Sequence, residues 1–206
     1  MLLVFGLSRI RRGFTTSAML LAGVAISFFF SSLILMVQST SDFHNSFRLL
    51  RWLMGGLVGA DYGTVANLIP FAVIGTVIIA YFTNELNLLT TVDDIAASMG
   101  VQVGRVRTAL FFATSLTVGG VVAMCGPIGF VGMIAPHISR LLIGHDHRYL
   151  LPMAALIGGA FLTLCDTVAR LITAPAEMPV GAITALLGGP FFIWLLVGRP
   201  GKAEAQ

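Results

Sequence analysis

An all-α, polytopic transmembrane helix bundle of about six membrane crossings, one of them short and broken, is the fold class this sequence predicts. Three observations predict it. The chain is 57% hydrophobic and only 10% charged, with a mean hydropathy of +0.94, whereas a soluble domain carries about 25% charged residues. The charges fall in short clusters separated by long uncharged runs. One of those runs has the wrong length for either one crossing or two.

That run lies between Arg107 and Arg140 and holds 32 residues without Asp, Glu, Lys or Arg. One crossing takes about 20 residues and two take about 40. With both arginines on the cytoplasmic side, the chain must cross an even number of times between them. The economical solution is one full helix at 108–124 and one short return helix at 131–140. Gly126, Pro127 and Gly129 break the chain between the two. Irregular backbone at membrane depth survives only inside protein or beside water. The break is therefore expected to face a helix bundle.

Taken in order, residues 1–7 read as the tail of a helix ahead of Arg9, Arg11 and Arg12, the wrong order for a cleavable signal peptide. Residues 13–41 carry no charge over 29 positions, which places a span at 17–37. Residues 38–46 are polar and read as a loop. Residues 47–63 hold Arg48, Arg51 and glycines 55, 59 and 63, a fourfold spacing that permits close helix packing. The next uncharged run is 62–84, 23 residues with Pro70 inside it, where the proline kinks the helix or opens its buried part.

Residues 87–107 differ from their neighbours. Thr90 or Thr91 offers an N-cap, Asp93 and Asp94 fall in the first turn, and Gly100 sits where a C-terminal cap is wanted. A short helix at 92–99, lying outside the lipid between two spans, is expected. After the central stretch, 149–171 is a span with Asp166 and Arg170 near its far end. Residues 172–181 form a turn with Pro175 and Pro179, and 180–197 is the last span, followed by Arg199 and Lys202.

Orientation follows from the arginines. With Arg9, Arg11 and Arg12 inside and six crossings, Arg105, Arg107, Arg140, Arg148, Arg199 and Lys202 also fall inside. Only Arg48, Arg51 and Arg170 fall outside, so the 12 basic residues divide nine to three, as the positive-inside rule asks. Both chain ends are then expected in the cytoplasm.

Several functions are disfavoured by what is missing. No G-x-x-x-x-G-K-[ST] occurs, so the chain itself is not expected to bind or hydrolyse ATP. The net charge of +3 gives no reason to expect nucleic acid. Cys125 and Cys165 lie in apolar runs and read as small hydrophobes. His145, Asp146 and His147 are adjacent and cannot easily wrap one ion, so no metal is expected there. No cofactor is expected either. His137, after Pro136, reads as a packed, hydrogen-bonded histidine rather than a ligand. Asp166 and Arg170 stand four apart on one helix face and read as an ion pair.

The stretch GPIGFVGMIAPHISRLLIGHDHR at 126–148 resembles the FecCD-type permease subunits of ABC importers for iron–siderophore, haem and cobalamin. The family shows G-x-I-G-F-[VI]-G, P-H-I-x-R, G-x-D-H-R and a Leu-Pro, here Gly126 to Gly132, Pro136 to Arg140, Gly144 to Arg148, and Leu151-Pro152. The segments LLAGVAIS, WLMGG and AEMPVGAITALLGGPFFIWLL extend the similarity over nearly the whole chain. The family's chains have ten helices, and this sequence begins where their fourth ends, lacking the R-x-P-R and N-P-L-A motifs. A fragment or a half-length product is therefore expected, forming one permease domain over 1–206.

The resemblance implies a transport subunit, not an enzyme, for an iron chelate of the siderophore, haem or cobalamin type. It would sit in the inner or plasma membrane and work by alternating access, driven by a separate ATPase. The segment at 87–107 would be the coupling helix, with Ala96, Met99 and Gly100 in the family's A-x-x-L-G places. Ala97 and Ser98 would share the small docking face, and Asp93 and Asp94 the first turn. Val92-Asp93 stands where the family commonly has Gly-Glu. Asp146, His147 and Arg148 would lie at a cytoplasmic turn, with Asp146 capping the next helix. Arg170, and with less support Arg48 and Arg51, would receive an acidic extracytoplasmic binding protein. A second permease copy would complete the pathway. A zinc or manganese ABC permease and a non-transporting membrane fragment are the alternatives.

Overall fold

The computed structural model describes residues 16–89, 102–172 and 178–197. All regular structure among them is helical: α1 (Thr16–Ser39), α2 (Phe43–Leu53), α3 (Tyr62–Tyr81), α4 (Thr83–Leu89), α5 (Val103–Cys125), α6 (Val131–Ile143), α7 (His147–Ile172) and α8 (Val180–Val197). Among the described residues, four helices are long and apolar enough to cross a membrane: Leu20–Ser39 within α1, then α3, α5 and α7. The fold class expected from the sequence is the one observed. The chain divides into two units, 1–50 and 51–206.

In the first unit, Phe28, Phe29, Leu35 and Met36 of α1 are all exposed, the all-round apolar surface that suits a helix in lipid. Its C-terminal carbonyls are satisfied locally. Ser39 Oγ donates to the Met36 carbonyl at 2.8 Å and Ser41 Oγ to that of Val37 at 2.7 Å, which answers the orphan acceptors of a helix end. The expected loop at 38–46 is thus mostly helical: α1 runs on to Ser39 and α2 starts at Phe43. Polar residues in an amphipathic helix produce the same low hydropathy as a loop.

In the second unit, α3 packs on α5 through small residues. Gly75 is buried, and a Cβ there would collide with the hydroxyl of Thr117. Thr117 Oγ1 returns its proton to the Ala113 carbonyl at 2.9 Å. Close approach through glycine and threonine is how helices associate where lipid provides no hydrophobic drive. Asp61 caps α3, accepting from the Thr64 backbone N–H at 2.7 Å. The Thr64 hydroxyl, which donates to Asp61 Oδ1 at 2.6 Å, and then that backbone N–H hold the Asp61 carboxyl below the usual range.

The break between α5 and α6 is explicit. Helix α5 ends at Cys125, Gly126 takes φ +71°, and α6 starts at Val131 after Phe130 at φ +67°. Helix α6 has 13 residues and is about 20 Å long, two-thirds of a hydrocarbon core of about 30 Å. It lies against α7, where Gly158 admits Ala135 and Val131. Phe130 is the one non-glycine at positive φ among the described residues. Its ring leaves no room for a Cβ on Gly188 of α8.

The break faces protein. Three glycines from distant parts of the sequence meet backbone to backbone: Gly55 after α2, Gly126 at the break and Gly181 at the start of α8. A Cβ on Gly55 would strike the Pro127 carbonyl, one on Gly126 the Trp52 carbonyl, and one on Gly181 the Met54 carbonyl. Hydrogen bonds stitch the junction. Gly56 N donates to Cys125 O at 2.8 Å, Gly181 N to Gly55 O at 3.1 Å, and Trp52 Nε1 to Ala123 O at 3.3 Å. Beside it, Cys165, Ala169, Val180 and Ile183 form the buried core with Leu57 and Ile128 against them. The fourfold glycine spacing at 55, 59 and 63 is not a helical packing stripe. Gly55 and Gly59 lie outside the helices at φ +70° and +87°, conformations that glycine adopts without steric penalty.

Candidate coupling and docking sites at the two ends of the bundle

Helix α7 organises both candidate sites, because its N-terminus carries Asp146, His147 and Arg148 and its last turns carry Asp166 and Arg170. At the first end, Asp146 caps α7: its Oδ1 accepts the Arg148 backbone N–H at 3.0 Å, and its carbonyl accepts that of Leu150 at 2.9 Å. This turn is tied to α4. Asn87 Nδ2 donates to Asp146 Oδ1 at 2.8 Å, and Asn87 Oδ1 accepts the His147 backbone N–H at 2.9 Å. Asn87 Oδ1 also lies 2.7 Å from His147 Nδ1. Asn84 Oδ1 accepts from Arg148 Nε at 3.0 Å and from Arg148 Nη2 at 2.8 Å. The bond from the Arg148 N–H, followed by that from Asn87, holds the Asp146 carboxyl below the usual carboxylate range, because both favour the charged form.

At the other end, Arg170 Nε binds Asp166 Oδ2 at 2.7 Å, with the arginine side chain 59% exposed and the aspartate 20%. This is the i,i+4 pair expected from the sequence. The guanidinium is held by a neighbour yet still reaches outward. Arg48 and Arg51 lie on α2, Arg51 in its last turn, and both are exposed. Arg140 is exposed in the last turn of α6, and its carbonyl accepts the Gly144 N–H at 3.0 Å. Gly129 and Gly132 have open space where a Cβ would stand. Pro136 lies inside α6. The His137 ring is packed as expected, edge-on to Phe191 with centroids 6.1 Å apart, but the expected hydrogen bond is not made at its buried Nε2, which has no partner among the described residues.

Asp93, Asp94, Ala96, Ala97, Met99 and Gly100, the expected coupling segment, lie outside the described residues. No group of three or more His, Cys, Asp or Glu suited to a metal occurs among the described ones. Asn84 and Asn87 are the site residues that sequence reasoning missed. The available signal was their spacing of three within N-E-L-N, which puts both on one face of α4.

The apolar spans, the short broken helix and the polar turn define a multi-pass membrane helix bundle. The chain belongs to the FecCD transport family, whose model matches residues 1–198, a family of permeases and not of enzymes. It is 38% identical to the hemin transport system permease protein of Yersinia pestis, over 95% of this chain and 58% of that one. It is 40% identical to the cobalamin import system permease protein of Halobacterium salinarum, over 91% of this chain and 50% of that one. It is 42% identical to an Fe(3+) dicitrate transport system permease protein of Escherichia coli, over 86% and 55%. The chain thus spans about half the length of the curated relatives it matches. A solved metal-chelate type ABC transporter in an inward-facing conformation superimposes with a TM-score of 0.86 at 32% identity, covering 96% of this chain and 64% of that one.

Proposed function

We propose that this chain acts in the permease subunit of a plasma-membrane ABC importer for a metal chelate of the siderophore, haem or cobalamin type. The observation that carries it is the likeness, over 96% of the chain, to the metal-chelate type transporter. The relatives' substrates are haem, cobalamin and ferric dicitrate, three bulky metal complexes. ATP would be hydrolysed on a separate subunit that meets the segment at 87–107 through Ala96, Ala97, Met99 and Gly100. A second permease copy would complete a pathway working by alternating access. Both ends of this sequence would face the cytoplasm, as the nine-to-three division of basic residues supports. The Asp146–Arg148 turn then shares that side.

Arg170 would meet an acidic extracytoplasmic binding protein, with Arg48 and Arg51 as further positive charge on that side. The test is binding-protein affinity in proteoliposomes holding the complete transporter. Arg170→Glu is expected to weaken it about tenfold or more, chiefly through like-charge repulsion and faster dissociation. Insertion and folding should be largely kept, since the side chain is mostly exposed. Unchanged affinity would remove Arg170 from the docking surface, and loss of folded protein would point to the Asp166 pair as a structural element.

A further inference from the structure

Helix α4 has seven residues and follows α3 after Phe82 alone, the Phe82 N–H donating to the Ile78 carbonyl at 3.3 Å and the Leu86 N–H to the Phe82 carbonyl at 2.9 Å. Its start is thus tied to α3, and its other anchor is what its side chains touch. Two of its side chains reach residues 59 to 64 positions away, all within the first turn of α7 and its cap. The orientation of Asn87 is unambiguous. A backbone N–H only donates, so Oδ1 must face His147, and Nδ2 must face the Asp146 carboxylate, which only accepts. Asn84 presents only its oxygen, to two N–H groups of one guanidinium. Helix α7 then runs 26 residues from His147 to Ile172, about 39 Å at 1.5 Å per residue, with Arg170 in its last turn.

We propose that Asn84 and Asn87 are positioning residues that lock α4, which leads into the segment at 90–101, onto the start of α7, so that displacement of that segment moves α7 as one body with it. This rests on the proposed contact between that segment and an ATPase. It assigns to the two asparagines a task that neither end of α7 performs alone: joining the ATPase side to the binding-protein side through a single helix. Without the clamp, α4 would follow α3, to which Phe82 joins it, and the movement would not reach α7.

The two amides make opposite demands on an isosteric change. Asn84→Asp keeps the acceptor and adds charge towards Arg148, giving a charge-assisted pair. Asn87→Asp turns a donor into an acceptor and sets two carboxylates against each other. The complete transporter is reconstituted with its ATPase and binding protein. Measured are ATP hydrolysis with and without binding protein, and uptake of ferric citrate, haemin or cobalamin, whichever the wild type carries. Asn87→Asp is expected to lower uptake per ATP hydrolysed roughly fivefold, the scale set by one hydrogen bond, and to blunt stimulation by the binding protein. Asn84→Asp is expected to behave as wild type.

Equal behaviour of the two variants would overturn the proposal, whether both fall or neither does. If Asn87→Asp does not accumulate folded, Asn87→Ala replaces it: the same loss of coupling is expected, and wild-type coupling would overturn the proposal. Ala96→Arg in the same assay separates the two levels. An uncoupled Ala96→Arg beside a normal Asn87→Asp defeats the clamp alone. Normal uptake by Ala96→Arg defeats the ATPase contact and the clamp's role with it.

Discussion

Gly55→Ala is expected to destabilise the folded protein by about 4 kcal/mol, against about 1 kcal/mol for Gly59→Ala, four residues along. Both glycines hold positive φ, +70° and +87°, so the conformational penalty is shared. They differ in what a methyl group would meet. At Gly59 there is open space within 4 Å, whereas at Gly55 the Pro127 carbonyl occupies the site. A flexible side chain can rotate away, but a carbonyl in the α5–α6 break cannot move without shifting Gly126 and the hydrogen bond from Gly56 to Cys125. Unfolding midpoints of the purified protein in a graded SDS titration would measure both. Equal losses would mean that the junction relaxes more easily than its backbone contacts imply.

Ala96→Arg is expected to uncouple transport: ATP hydrolysis stays measurable while uptake falls about tenfold or more, since overpacking a small-residue contact commonly costs 1–3 kcal/mol and 1.4 kcal/mol is a factor of ten. The physical requirement is rigidity. A closing ATPase can push a capped helix but only bends a loop. The segment at 92–99 has a start signal at Thr90 or Thr91, a stop at Gly100 and a small face at Ala96, Ala97 and Ser98 that suits a groove on another protein. An arginine there adds length and charge that such a groove does not accommodate. The complete transporter, assayed in parallel for hydrolysis and uptake, decides it. Wild-type uptake by the variant, or placement of the segment on the extracytoplasmic side, would defeat the proposed contact.

The spans were legible because lipid leaves little choice. A backbone that cannot bond to water must be helical, and uncharged runs of 23 and 29 residues mark where. The break at Gly126 was legible for the same reason, as 32 uncharged residues fit neither one crossing nor two. Helix starts were less so. Helix α5 begins at Val103 rather than 108, because Arg105 and Arg107 keep their charges in water while their backbone is already helical. Helix α2 was hidden because the polar residues of an amphipathic helix lower its hydropathy to that of a loop. The glycines at 55 and 59 suggested a helix face and turned out to be sharp turns, since spacing carries no dihedral. Arg170 and Asp166 announced each other from four residues apart. Asn84 and Asn87 did not, because their partners stand about 60 positions away and an asparagine at a helix end looks like any solvated one.

The glycine contacts also divide by genetics. The obstacle to a side chain at Gly55 is a main-chain carbonyl, which every amino acid brings with it. A suppressor selection begun from Gly55→Ala should therefore return true revertants at codon 55 and no compensating change at codon 127. Gly188 is different, for what blocks it is the ring of Phe130, a residue itself held at φ +67°. Gly188→Ala should be rescued from within the gene by Phe130→Gly, which removes the ring and relieves the backbone strain in one step. Two glycines that look alike in the sequence thus differ in reversibility: one position can drift in company with a partner, and the other is fixed for as long as the chain folds this way.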